Sequence, residues 1–129
     1  MRRLRDDEAG SAPVEFVLVG TLLTVLTLAV VQLALVVYVR NVLHDAAVEG
    51  AYHGALADTS PAEGAARTER LIRTAVGDGL DAEARASATD GAAGPQVEVT
   101  VTATMPLVGL IGIPAALEVT AHAPRESFD

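Results

Sequence analysis

The chain has 129 residues, half of them hydrophobic, with a mean hydropathy of +0.36 and yet a formal net charge of −8. A chain this short sets a single domain as the starting expectation, and the absence of cysteine excludes disulfides, thiolate chemistry and Cys-based zinc sites. The two halves of the composition are reconciled by segregation: residues 1–40 balance four Arg against four acids, whereas residues 41–129 hold five Arg against thirteen acids. An acidic part of that kind neutralises no phosphates, so nucleic acid is excluded as a partner. Two Phe, two Tyr and no Trp leave little bulk for a core. Residues 41–129 are therefore expected to fold around a thin core that partners steady.

The chain opens with Arg2, Arg3 and Arg5 beside Asp6, Asp7 and Glu8, and then reads Ala9-Gly10-Ser11-Ala12-Pro13-Val14-Glu15-Phe16. A Gly offers the smallest side chain to a protease that draws an extended backbone into its site. Pro13 suits the first turn of a helix and biases Ala12 away from helical backbone, which places the Gly10–Ser11 bond in an extended stretch. Glu15 is a carboxylate at the border of an apolar run, costly there unless it meets a positive partner. In the first helical turn it also complements the helix dipole. This arrangement resembles the type III signal of type IV prepilins and pseudopilins. The resemblance implies cleavage between Gly10 and Ser11 by a membrane-embedded prepilin peptidase, with Glu15 in the acidic position typical of such chains. The new α-amino group of Ser11 would then be available to Glu15 of the same or a neighbouring subunit.

Residues 16–39 form an uncharged run of 24. A spanning helix needs roughly 20 mostly apolar residues, rising about 1.5 Å each, to cross a hydrocarbon core of about 30 Å. Strands in globular proteins seldom exceed about 10 residues, and in lipid a lone segment must pair its own backbone groups, so the run is read as a transmembrane helix. A cleavable secretory signal has an apolar core of about 7–15 residues, shorter than this one. Arg2, Arg3 and Arg5 outweigh Arg40, so the N-terminus is placed in the cytoplasm and residues 41–129 outside. Gly20, Thr24, Thr27 and Ala34 share one helical face and offer a surface for close packing against another helix. The competing reading is that the threonines bond back to their own helix.

Beyond Arg40 the helical spacing of Val42, Leu43, Ala46 and Ala47 continues, loosened by Gly50 and Gly54, to an end near Asp58. Ser60-Pro61-Ala62-Glu63 opens a second helix with a capping box. Ala65, Ala66, Ile72, Ala75 and Val76 are assigned to its apolar side, Arg67, Arg70 and Arg73 to a solvated one near Glu63 and Glu69, and Gly77-Asp78-Gly79 to its end. Residues 82–89 are a candidate strand and residues 90–95 turn material. Over residues 96–104, Val97, Val99, Val101 and Ala103 alternate with Glu98, Thr100, Thr102 and Thr104, which marks a half-buried strand. Residues 117–123 are the third strand. Between them the apolar loop 105–114 is read as a cover for the sheet or as a contact with the bilayer or a partner.

The layout, and above all Gly10-Ser11-Ala12-Pro13-Val14-Glu15-Phe16 followed by the long span, resembles the TadE-like family of minor pilins and pseudopilins of the tight-adherence, or Flp-type, pilus system. The resemblance is specific over the first 40 residues or so. Pro13 stands where a small residue is usual, and Phe16 stands where the major Flp pilins carry Tyr. Both departures favour a minor pilin over the main structural subunit. The fold class expected is α+β: a long N-terminal transmembrane helix extended outside the membrane, a second short helix and a small antiparallel sheet of about three strands. The expected organisation is a leader over 1–10, a transmembrane helix over 11–40 and an extracytoplasmic domain over 41–129. The resemblance implies a single-pass protein of the bacterial cytoplasmic membrane, possible incorporation into a pilus, and a role in assembly or adhesion. Gly10 and Ser11 would serve processing and Glu15 and Phe16 assembly. Its partners would be the membrane, other pilin or pseudopilin subunits, Tad assembly proteins and a prepilin peptidase.

No catalytic motif accompanies these features. His44, His53 and His122 are isolated, and Ser11, Ser60, Ser87 and Ser127 lack a His/Asp context. The sequence is read as no enzyme, with no metal, cofactor or small-molecule substrate. The alternative to the pilin reading is an uncleaved, single-pass envelope scaffold that binds a partner through its outer domain.

Overall fold

The computed structural model of the chain describes residues 2–106 and 114–127. Helix α1 spans Arg2–Ala55 and helix α2 Pro61–Val76; strands β1 (Asp81–Gly91), β2 (Gly94–Pro106) and β3 (Pro114–Pro124) follow. A long apolar N-terminal helix, a short second helix and a three-stranded antiparallel sheet make this an α+β fold, as the sequence predicts. The chain divides into two compact units, one through Val36 and one from Val37 onward.

The first unit is the N-terminal part of α1. Here one expectation is corrected. Helix α1 runs without interruption from Arg2, so Pro13 lies inside it and the Gly10–Ser11 bond is helical. Residues 2–9 hold Arg, Leu, Glu and Ala, strong helix formers, with neither Gly nor Pro among them. Pro13 lacks an N–H to offer the carbonyl four residues back, and the helix carries that loss without breaking.

In the second unit, α1 ends at Ala55 and not near Asp58, followed by a turn in which the Thr59 hydroxyl donates to the carbonyls of His53 and Leu56. Ser60 caps α2 as expected. Its side chain accepts from the Glu63 amide at 3.3 Å, while the Glu63 carboxylate accepts from the Ser60 amide at 2.7 Å. At the other end Gly77 takes a positive φ of 77° and returns its N–H to the Arg73 carbonyl at 2.9 Å.

The buried stripe of α2 is Gly64, Thr68 and Ile72, whereas Ala66 and Ala75, expected on the apolar side, are exposed. Gly50 and Gly54 of α1 explain the difference. They do not merely loosen α1; they let its backbone approach that of α2 at Gly64. Thr68 fills the crossing, its hydroxyl donating to the carbonyls of Gly64 (3.0 Å) and Ala46 (3.3 Å). Arg67 reaches across to Glu49 at 2.9 Å, and Arg73 pairs with Asp78 at 3.3 Å. Both are open pairs worth little in stability. Glu63 and Glu69 do not serve as their partners; Glu63 caps the helix and Glu69 accepts from the Ala84 amide at 3.2 Å.

The sheet is a meander with β2 in the centre. Val97, Val99, Val101 and Ala103 turn to the core and are at most 1% exposed, and Met105 continues the same face. Leu117, Val119, Ala121 and Ala123 of β3 and Ala84 of β1 join them, with Leu43, Ala47 and Ala51 of α1 and Ile72 of α2. No aromatic side chain is buried among the described residues, and alanines predominate, so the core is thin. Of the apolar loop expected over 105–114, Met105 and Pro106 belong to β2 and Pro114 to β3; residues 107–113 lie outside the described residues.

Candidate membrane and assembly segment

From Gly10 to Ala55 the chain is one helix long and apolar enough to cross a membrane, and only 6% of its most apolar window is buried. A core helix of a water-soluble domain shows the reverse. Phe16, Val17, Leu18, Leu22, Leu23, Leu26 and Leu33 all stand more than half exposed, an arrangement that is stable where the solvent is lipid. The 24 uncharged residues rise about 36 Å as a helix, enough for the hydrocarbon core with a modest tilt. Tyr38 is exposed near the C-terminal end of the run, two residues from Arg40, a combination typical of the membrane–water boundary.

Glu15 and Ser11 lie one helical turn apart, and the Ser11 hydroxyl donates to Glu15 Oε1 at 3.2 Å. Both are exposed. Gly10 is equally open: a Cβ built on it meets no atom within 4 Å. Phe16 projects next to Glu15 at 79% exposure. The structure thus brings Ser11 and Glu15 together on one exposed face, with Gly10 one residue before them and Phe16 one residue after them along the helix.

At about 100° per residue, Gly20, Thr24, Thr27 and Ala34 fall within an arc of roughly 80° on α1. The hydroxyls of Thr24 and Thr27 donate to the carbonyls of Gly20 (2.8 Å) and Leu23 (2.7 Å), and Thr21 does the same to Val17 at 2.7 Å. Each hydroxyl is therefore satisfied within its own helix. Any packing through this face would rest on its shape, since a Cβ on Gly20 also meets nothing within 4 Å.

The crossing of Gly50 and Gly54 with Gly64 and Thr68 is not among the features expected from the sequence. Its signal was present in the four-residue spacing of small residues on both helices. Among the described residues, no group of three or more His, Asp or Glu side chains gathers where it would hold a metal ion.

Comparison with protein families finds a match to the family described as TadE-like protein over residues 10–51. Residues 10–51 are similar to that family. Neither the search of curated proteins nor that of solved structures yields a match. The TadE-like segment begins at Gly10 and takes in Ser11, Glu15, Phe16, Gly20, Thr24, Thr27 and Ala34. It ends at Ala51, so α2 and the three strands lie outside it.

Proposed function

We propose that this chain is a structural or assembly subunit, a minor pilin or pseudopilin, of a tight-adherence (Flp-type) pilus or related secretion apparatus. In this reading, residues 1–10 are a leader removed by a prepilin peptidase, residues 11–40 anchor the mature chain in the bacterial cytoplasmic membrane, and residues 41–129 stand on the outer side. The observation that carries it is the TadE-like match starting at Gly10, the residue after which the chain would be cut. No catalytic role is assigned.

The helical state of the junction adds a physical requirement. A peptidase that reads an extended backbone must first unwind the turn around Gly10. Pro13 makes that turn the easiest to open, because the carbonyl four residues before it lacks its usual N–H partner. After the cut, the α-amino group of Ser11 replaces the preceding peptide. It then lies one turn from Glu15, where an ion pair at the hydrocarbon border offsets the cost of the carboxylate.

The test is the N-terminal mass of the protein recovered from membranes of its own host. A chain beginning at Ser11 supports the reading; an intact Met1 or an unrelated start supports the uncleaved scaffold. Gly10→Leu is expected to abolish processing and to leave the precursor in the membrane fraction. Because a Cβ at Gly10 meets nothing within 4 Å and the position is exposed, such a block reports on the protease site and not on misfolding. Processing of Gly10→Leu at the normal rate would exclude cleavage after this residue.

A further inference from the structure

The two edges of the sheet are treated differently. On β1, the Ala84 amide points away from β2 and is taken by Glu69 of α2 at 3.2 Å, so a helix covers that edge in its N-terminal half. On β3, the orientation of the backbone follows from the register. The pairing Gln96↔Pro124 fixes the ladder, and just beyond it the Arg125 amide donates to the Pro95 carbonyl at 3.0 Å. Hydrogen-bonded pairs alternate along an antiparallel ladder, so the odd residues of β3 bond to β2. The even residues Ala116, Glu118, Thr120 and His122 turn their N–H and C=O groups outward.

Among the described residues those outward groups meet no partner. Pro114 and Pro124 share the even parity, so each places its missing N–H on the outer side, where an edge strand tolerates proline. The prolines bracket a stretch of four outward-facing residues. On the solvated face, Glu98 pairs with His122 at 3.5 Å and Glu83 with Arg85 at 3.0 Å, whereas Glu118 has no basic partner among the described residues.

We propose that the β3 edge between Pro114 and Pro124 accepts an extended segment of a different polypeptide by strand addition, with a Lys or Arg of that segment beside Glu118. Main-chain bonds to the even residues supply the binding, and the charge supplies the choice of partner. A second copy of this chain is disfavoured because residues 41–129 carry thirteen acids against five Arg and no Lys, so copies repel one another. The prolines and Glu118 are also the devices that keep an edge from pairing with itself. The inference rests on the outer fold and is independent of cleavage after Gly10.

A benzophenone side chain, introduced as p-benzoylphenylalanine at position 116 of the full-length chain in its own host, tests it. The same probe at position 87 on β1 is the control, and the chain's lack of cysteine and lysine simplifies mapping of adducts. The expected result is one discrete adduct from position 116, mapping to an extended, Lys- or Arg-bearing segment of another protein, and none from position 87. Thr120→Pro removes one outward amide without touching the bonds to β2, and should reduce the adduct at least tenfold, whereas Thr120→Ala should preserve it. Glu118→Arg should also reduce it, and serves if Thr120→Pro loses its resistance to protease. An adduct indifferent to both variants, an equal adduct from position 87, an adduct to a second copy of this chain, or no adduct at all would overturn the proposal.

Discussion

A Cβ built on Gly64 would lie 2.5 Å from the carbonyl oxygen of Gly50, and one built on Gly50 would strike both Thr68 Oγ1 and the Gly64 carbonyl. The obstacles include backbone on both sides, which cannot swing away as the end of a long side chain can. Gly64→Ala is therefore expected to destabilise the C-terminal unit by about 2–3 kcal/mol, the upper part of the range for overpacking. Thermal unfolding of the full chain in detergent micelles checks this, with Gly20→Ala as the control because its site is open. An unchanged transition for Gly64→Ala would mean that the helices are not so closely crossed. The four-residue spacing of these glycines was a signal of close approach, but it did not say which helix they meet. Helix propensity records only what a glycine costs inside one helix, and the compensation lies on a second helix.

The elements differ in how plainly they could be read, and the reasons are physical. The start of α2 was legible because Ser60, Pro61 and Glu63 act within a few residues of one another, and both halves of the capping box form. The alternation in β2 was legible because a strand with one wet face must alternate, and all four expected core positions are buried. The buried face of α2 was not, because close approach selects its residues by size, and Gly64 and Thr68 do not look apolar. The junction was misread in its conformation, since a proline placed near a helix start also fits inside a helix that begins earlier. Ser60→Ala tests the capping at this scale. It removes the acceptor of the Glu63 amide, and should cost about 1 kcal/mol. For a unit of this size that corresponds to a fall in melting temperature of about 4–8 °C by circular dichroism. A fall of the same size in Ser60→Asp, which keeps an acceptor, would show that the cap is not the cause.

Across the whole molecule, charge and hydropathy divide the chain before any local motif is considered. Residues 1–40 are electrically balanced around an apolar run, and the excess of acid lies entirely beyond them. Within that balanced part, Glu15 is the one acid placed at the border of the run, and in a single copy its hydrogen-bond partner among the described residues is the Ser11 hydroxyl. A carboxylate near hydrocarbon hinders insertion, by about 2.5–3.5 kcal/mol at the centre of a span and less at its border. If Glu15 served only the anchor, its removal would be neutral or favourable. The assembly reading predicts a separation of effects. Glu15→Ala should enter the membrane fraction as well as the parent chain and still begin at Ser11, while pilus output falls at least tenfold. Glu15→Gln, which keeps a hydrogen-bonding side chain but no charge, should share the defect if the partner is the α-amino group of Ser11. Recovery of output in Glu15→Gln would instead assign the role to the hydrogen bond. Normal output from Glu15→Ala would remove Glu15 from assembly altogether, leaving a membrane anchor whose acid has no function in joining subunits.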